Sequence, residues 1–125
     1  MVFDHVDQRV RDIPRARLFY DRFLREFGFR GSVQPDGGVV YVRIAQRAVH
    51  EAFALILDEA HVANANRLAF TAASREEVDR IAARALAAGA TRYEEAGLCP
   101  EISATYYAAF FADPDGNAIE VVCRG

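Results

Sequence analysis

The chain repeats its own plan after 62 residues, and this repeat restricts the fold more than any single motif. Asp12 and Ser74 each stand where a helix needs an N-cap, and His5 and Arg67 stand at matching positions in the runs before them; both pairs are 62 residues apart. Two copies of one plan in 125 residues imply an internal pseudo-twofold relation between halves.

Each half can be read element by element. Val2 to Val10 alternates as a strand does, with Val2, Asp4, Val6, Gln8 and Val10 on one face and Phe3, His5, Asp7 and Arg9 on the other. Asp12-Ile13-Pro14 then supplies an N-cap and a first-turn proline, and Ala16, Phe19, Tyr20, Phe23, Leu24 and Phe27 recur at helical spacing up to Gly28. Three β-type runs follow, Phe29 to Val33, Val39 to Ala45 and Phe53 to Leu57, with Pro35-Asp36-Gly37-Gly38 turning between the first two. The second half reads alike. Leu68 to Thr71 is a strand, and Ser74 with Glu77 forms a capping box for a helix that runs through Val78, Ile81, Ala85 and Leu86 to Gly89. Arg92-Tyr93, Tyr106 to Ala112 and Ala118 to Cys123 are its remaining strands, and Gly97 to Pro100 marks a loop. The expected fold is α+β, one domain over 1–125 built of two βαβββ repeats, 1–59 and 60–125. One helix covers one face of each sheet, and the free faces curl toward each other into a half-closed cup.

Composition excludes several classes. A hydrophobic share of 52% fits one domain with a real core. The net charge of −3 argues against a phosphate-binding surface, so no nucleic acid is expected. The N-terminus has neither a basic start nor a long apolar run, which suggests a cytoplasmic protein with no membrane association. Cys99 and Cys123 lack CxxC spacing and are expected to be reduced and structural. All 15 basic residues are arginine, which excludes Schiff-base chemistry by lysine. The run Arg9, Arg11, Arg15 and Arg17 reads as a solvated surface.

Four segments then resemble a known pattern when taken as a set: Phe3-Asp4-His5-Val6, Phe19-Tyr20 in the first helix, Arg67-Leu68-Ala69-Phe70, and Tyr106 to Glu120 with its Asp113-Pro114-Asp115-Gly116-Asn117 turn. The chain resembles the vicinal oxygen chelate superfamily (glyoxalase, bleomycin resistance protein, dioxygenase) over nearly its whole length. That resemblance implies a divalent cation, such as zinc, nickel, manganese or iron, held by a first-strand histidine, a histidine opening the fifth strand, a last-strand glutamate and one more side chain ending the first half. His5 and Glu120 match the metal positions. Arg67 occupies the second histidine's place, and a guanidinium offers a metal no lone pair. The fourth position falls near Ala54 or Leu55, both apolar. No cofactor is therefore expected, although a cation on His5 and Glu120 stays open.

Three readings of these residues compete. His5 and Glu120 are satisfied polar groups on a partly wet face; or Arg67 pairs with Glu120 across the cup floor in place of a metal; or His50, Glu51 or His61 completes a displaced metal site with them. Catalytic roles fall on His5 or Glu120 as proton acceptor and Arg67 as stabiliser of an enolate-like oxygen. Asp7, Arg9, Phe53, Tyr106 and Tyr107 are candidate ligand-binding residues, and alternation allows only one of the two tyrosines to face the cup. Phe29 and Tyr41 are cavity-lining or plain core. The expected function is a small-molecule cavity protein that binds its ligand or performs metal-free acid–base chemistry on it. The alternatives are a metal-dependent lyase, isomerase or dioxygenase, a drug-sequestering binder, and an interaction domain. A homodimer is expected.

Overall fold

Both helices begin where the capping residues stand. Asp12 accepts a hydrogen bond from Arg15 N at 2.8 Å at the start of α1 (Ile13–Arg25). Ser74 Oγ accepts from Glu77 N at 3.1 Å at the start of α2 (Arg75–Ala87), and Glu77 Oε2 accepts from Ala73 N at 2.9 Å. Both helices also stop alike. Phe29 N donates back to the Leu24 carbonyl and Ala90 N to that of Ala85, with Gly28 and Gly89 at φ of 90° and 114°. Glycine takes that left-handed turn without a Cβ clash.

The computed structural model describes residues 2–125 and shows the α+β pattern of two βαβββ halves. The first half has β1 (His5–Val10), β2 (Arg30–Val33), β3 (Val39–Ala45) and β4 (Ala48–Leu57) in the order β1-β4-β3-β2, with β1 parallel to β4 and the other pairs antiparallel. The second repeats it with β5 (Arg67–Thr71), β6 (Thr91–Leu98), β7 (Tyr107–Ala112) and β8 (Ala118–Cys123) in the order β5-β8-β7-β6. Two compact units result, Met1–Val62 and Ala63–Gly125, against the 59/60 division read from sequence. Among the described residues no helix is long and apolar enough to cross a membrane.

Several boundaries move from the expected ones. Strand β4 starts at Ala48, not Phe53, because Gln46 and Arg47 at φ of 53° and 65° form a two-residue reversal that returns the chain directly from β3. Such a turn normally announces itself with Asn-Gly, and neither residue is present. Strand β6 runs eight residues rather than two, so the Gly97 to Pro100 loop begins only after Leu98. Strand β1 starts at His5, not Val2.

In the first unit, pairing puts Val6, Gln8 and Val10 on the same side as Tyr41, Phe53 and Leu55. This is the side that α1 covers: the Tyr20 and Phe53 rings lie 5.4 Å apart, Gln8 Nε2 donates to Tyr20 Oη at 3.3 Å, and Tyr41 Oη donates to Asp21 at 2.6 Å. Phe53, Phe29 and Tyr41 are therefore buried core residues, and Phe53 is not ligand-facing as expected. His5, Asp7 and Arg9 line the opposite side, with Ala52 and Ala54 beside them.

Gly31 faces Tyr41 across the β2–β3 pair, and a Cβ there would come within 2.6 Å of the Tyr41 ring. The ring cannot step aside freely, because its hydroxyl is tied to Asp21. Gly31→Ala should lower unfolding stability by about 1–3 kcal/mol. Urea titration checks this, and a loss of only a few tenths would contradict it.

Candidate active face of the second unit

The fourth strand of the second half lies between two neighbours, so both of its faces must be satisfied. Ile119 and Val121, with Phe111 and Ala109 beside them, point toward α2, whose Val78, Ile81, Ala82 and Ala85 are buried. Ala118, Glu120 and Val122 point the other way, on one face with Arg67, Ala69, Ala108 and Phe110. The register of β8 is set by the turn before it. Asp113 is fully buried and accepts from Asp115 N, Asn117 N and Asn117 Nδ2 at 2.8–2.9 Å, while Gly116 takes φ of 90°. The Asp-Pro-Asp-Gly-Asn run is thus a structural clamp that places Glu120 three residues on.

Glu120 is only 6% exposed, and a buried carboxylate needs a donor. Tyr106, equally buried and just before β7, provides it: its hydroxyl donates a hydrogen bond to Glu120 Oε2. The bond to Glu120, and then burial, push the Tyr106 phenol above its usual value, so it remains a neutral donor. The Arg124 guanidinium lies 5.0 Å from the Tyr106 ring centre. Cys99 packs with Tyr106, Ala108 and Val122. Burial, followed by the charges of Glu101, Glu120 and Glu94, raises its pKa, which keeps it a thiol and a poor nucleophile.

The expected Arg67–Glu120 pair does not form. The Arg67 guanidinium instead lies 4.8 Å from the centre of the Phe110 ring, and Tyr106 takes the carboxylate. Sequence reasoning missed Phe110, whose place opposite Glu120 only the register reveals. The two tyrosines separate by alternation. Tyr106 belongs to the Glu120 face, whereas Tyr107 turns to α2, donating to Asp79 at 2.6 Å with Arg75 over its ring, and so is not a residue of this face as expected.

In the first unit, His5 Nδ1 donates to Asp4 at 2.8 Å, leaving Nε2 as the nitrogen able to accept. Arg9 reaches Asp58 at 3.5 Å, and Asp7 stands between His5 and Arg9 on the same side of β1. Glu51 is held by Arg43 at 2.7 Å. The repeat and the two registers make Ala54 the counterpart of Glu120, as His5 is of Arg67. Of the four positions that the resemblance implies for a metal, His5 and Glu120 carry donors, while Arg67 offers no lone pair and the fourth, near Ala54 or Leu55, is apolar.

The hydrogen bond to Asp4, then the charge of Asp7, raise the His5 pKa above 6.5. A raised value favours the folded state below the unfolded value near 6.5, and that gain fades as pH rises through the folded value. At so exposed a ring the effect on stability is small, so the direct readout is NMR titration: the midpoint should lie above 6.5 and fall in Asp4→Asn. An unchanged midpoint would contradict this account.

Comparison with known proteins agrees with the architecture. The chain matches the Glyoxalase/Bleomycin resistance protein/Dioxygenase superfamily over residues 2–121. It is similar to a glyoxalase/bleomycin resistance protein from Albidiferax ferrireducens, at 28% identity and a TM-score of 0.79, with 100% of both chains covered. It shares its fold with a glyoxalase-related enzyme from Fulvimarina pelagi (19% identity, TM-score 0.74, covering 96% of this chain and 86% of that one). The fosfomycin resistance protein FosX from Listeria monocytogenes has the same fold, at 16% identity and a TM-score of 0.74, covering 98% and 93%. No curated protein matches the chain. With strand order, repeat and family match in agreement, the chain belongs to the Glyoxalase/Bleomycin resistance protein/Dioxygenase superfamily.

Proposed function

We propose that the protein binds a small organic ligand on the Glu120 face and exchanges a proton with it, without a divalent metal. The observation that carries this reading is the buried Glu120 carboxylate held by the Tyr106 hydroxyl. Tyr106 fixes Oε2 and stays protonated, so Oε1 is the oxygen left to accept a proton from a bound ligand. Arg67, on the same face, supplies the fixed positive charge that would stabilise an anion so formed. Arg67 and Ala54, at two of the four ligand positions, support a metal-free site: one would repel a cation and the other has nothing to offer it. A protein that only sequesters its ligand would use the same face without turnover.

Two further features belong to this reading. Buried, unpaired Cys99 and Cys123 suit a reducing cytoplasm. Strand β2, exposed along its length at the edge of its sheet, supports association with a second copy. Light scattering should give twice the chain's 13.9 kDa, and a monomer at micromolar concentration would remove the dimer from the proposal.

The metal question has its own test. Protein purified from metal-replete medium should carry well under one equivalent of zinc, nickel, manganese or iron, and adding these ions should leave its melting temperature unchanged. One equivalent retained through dialysis in the wild type and lost in Glu120→Gln would overturn the metal-free reading.

A further inference from the structure

Strands β5 and β7 flank β8, Arg67 is paired with Ala118, and Phe110 is paired with Glu120. Arg67 and Phe110 come from the two strands that flank β8, so their side chains together span that strand, and on the same face Ala118 presents only a methyl group. The charge rests on an aromatic face and is itself exposed. Among the described residues it has no ion pair or hydrogen bond. A guanidinium seated on a ring keeps its N–H edge free and planar, the geometry that accepts a carboxylate with two parallel hydrogen bonds.

Glu120 stands on the same face two residues beyond Ala118, the partner of Arg67 in the parallel β5–β8 pair. Its Oε2 is occupied by Tyr106. Among the described residues no hydrogen bond engages Oε1, which leaves its lone pairs to a ligand. One face therefore offers a cation with a free fork and, a short distance away, a lone-pair acceptor, with Ala118, Ala69 and Phe110 forming an apolar floor. A second ionised carboxylate brought against Glu120 would meet like charge, whereas a hydroxyl would donate to it.

We propose that this face selects a small hydroxy carboxylate, its carboxylate on Arg67, its hydroxyl donating to Glu120 Oε1 and its carbon body over Ala118 and Phe110. The assignment rests on the metal-free reading above and adds the ligand class to it.

Four probes share one aromatic body and differ in their polar groups: mandelate carries both groups, phenylacetate lacks the hydroxyl, benzyl alcohol lacks the carboxylate, and phenylmalonate carries a second carboxylate. Binding is followed by NMR shifts of the β5, β7 and β8 amides in the full chain, with EDTA present and absent. Mandelate should bind most tightly, with either phenylacetate or phenylmalonate weaker by about tenfold. Arg67→Gln should weaken mandelate and phenylacetate by about tenfold or more and leave benzyl alcohol unchanged. Glu120→Gln should narrow the gap between mandelate and phenylmalonate; unchanged amide spectra away from β8 show that each variant is folded. EDTA-resistant mandelate binding that ignores Arg67→Gln, a preference for phenylmalonate, or no binding at millimolar probe would overturn this ligand class alone. Binding that EDTA abolishes in wild type would overturn the metal-free reading as well.

Discussion

In each half the fourth strand carries the sheet, pairing in parallel with the first strand and antiparallel with the third. A strand paired on both edges has its backbone satisfied along its length, so the side chains decide what each face is for. In the second half one face of β8 is apolar and meets α2, while the other carries Glu120. Burying that carboxylate on a central strand requires a compensating donor at a fixed place, and the position of Tyr106 just before β7 meets the requirement. The Asp113 clamp matters for the same reason. A one-residue slip of β8 would bring Glu120 against α2 and Ile119 onto the polar face.

Much of this was legible because it rests on local rules. The caps at Asp12 and Ser74, the limits of β3 and β8 and the placing of His5 opposite Val6 all follow from side-chain chemistry and period-two alternation. The start of β4 was hidden by a Gln46-Arg47 reversal that bears no turn signature. Strand β6 was hidden because Thr-Arg-Tyr-Glu-Glu-Ala-Gly-Leu is polar, lies at a sheet edge and is interrupted by register shifts, so no alternation survives to be read.

The polar face was less legible, since it depends on register between strands distant in sequence. Alternation says that Tyr106 and Tyr107 part company, but only the position of β7 against β8 and α2 says which joins Glu120. Charge complementarity suggested an Arg67–Glu120 pair. The buried carboxylate takes instead the phenol that reaches it without bringing a second charge out of water, and the exposed guanidinium rests on Phe110.

The repeat gives these residues counterparts, and the counterparts have diverged in opposite directions. The register equates Arg67 with His5, Glu120 with Ala54 and Phe110 with Val40. The first half thus keeps a titratable imidazole beside a bare methyl group, while the second holds a permanent cation, an aromatic platform and a buried carboxylate on one face. The matching strand orders give each half one sheet face turned away from its helix. The buried acid stands on the second, where the fourth strand can hold it only because a tyrosine just before its partner strand shares the cost of burying it.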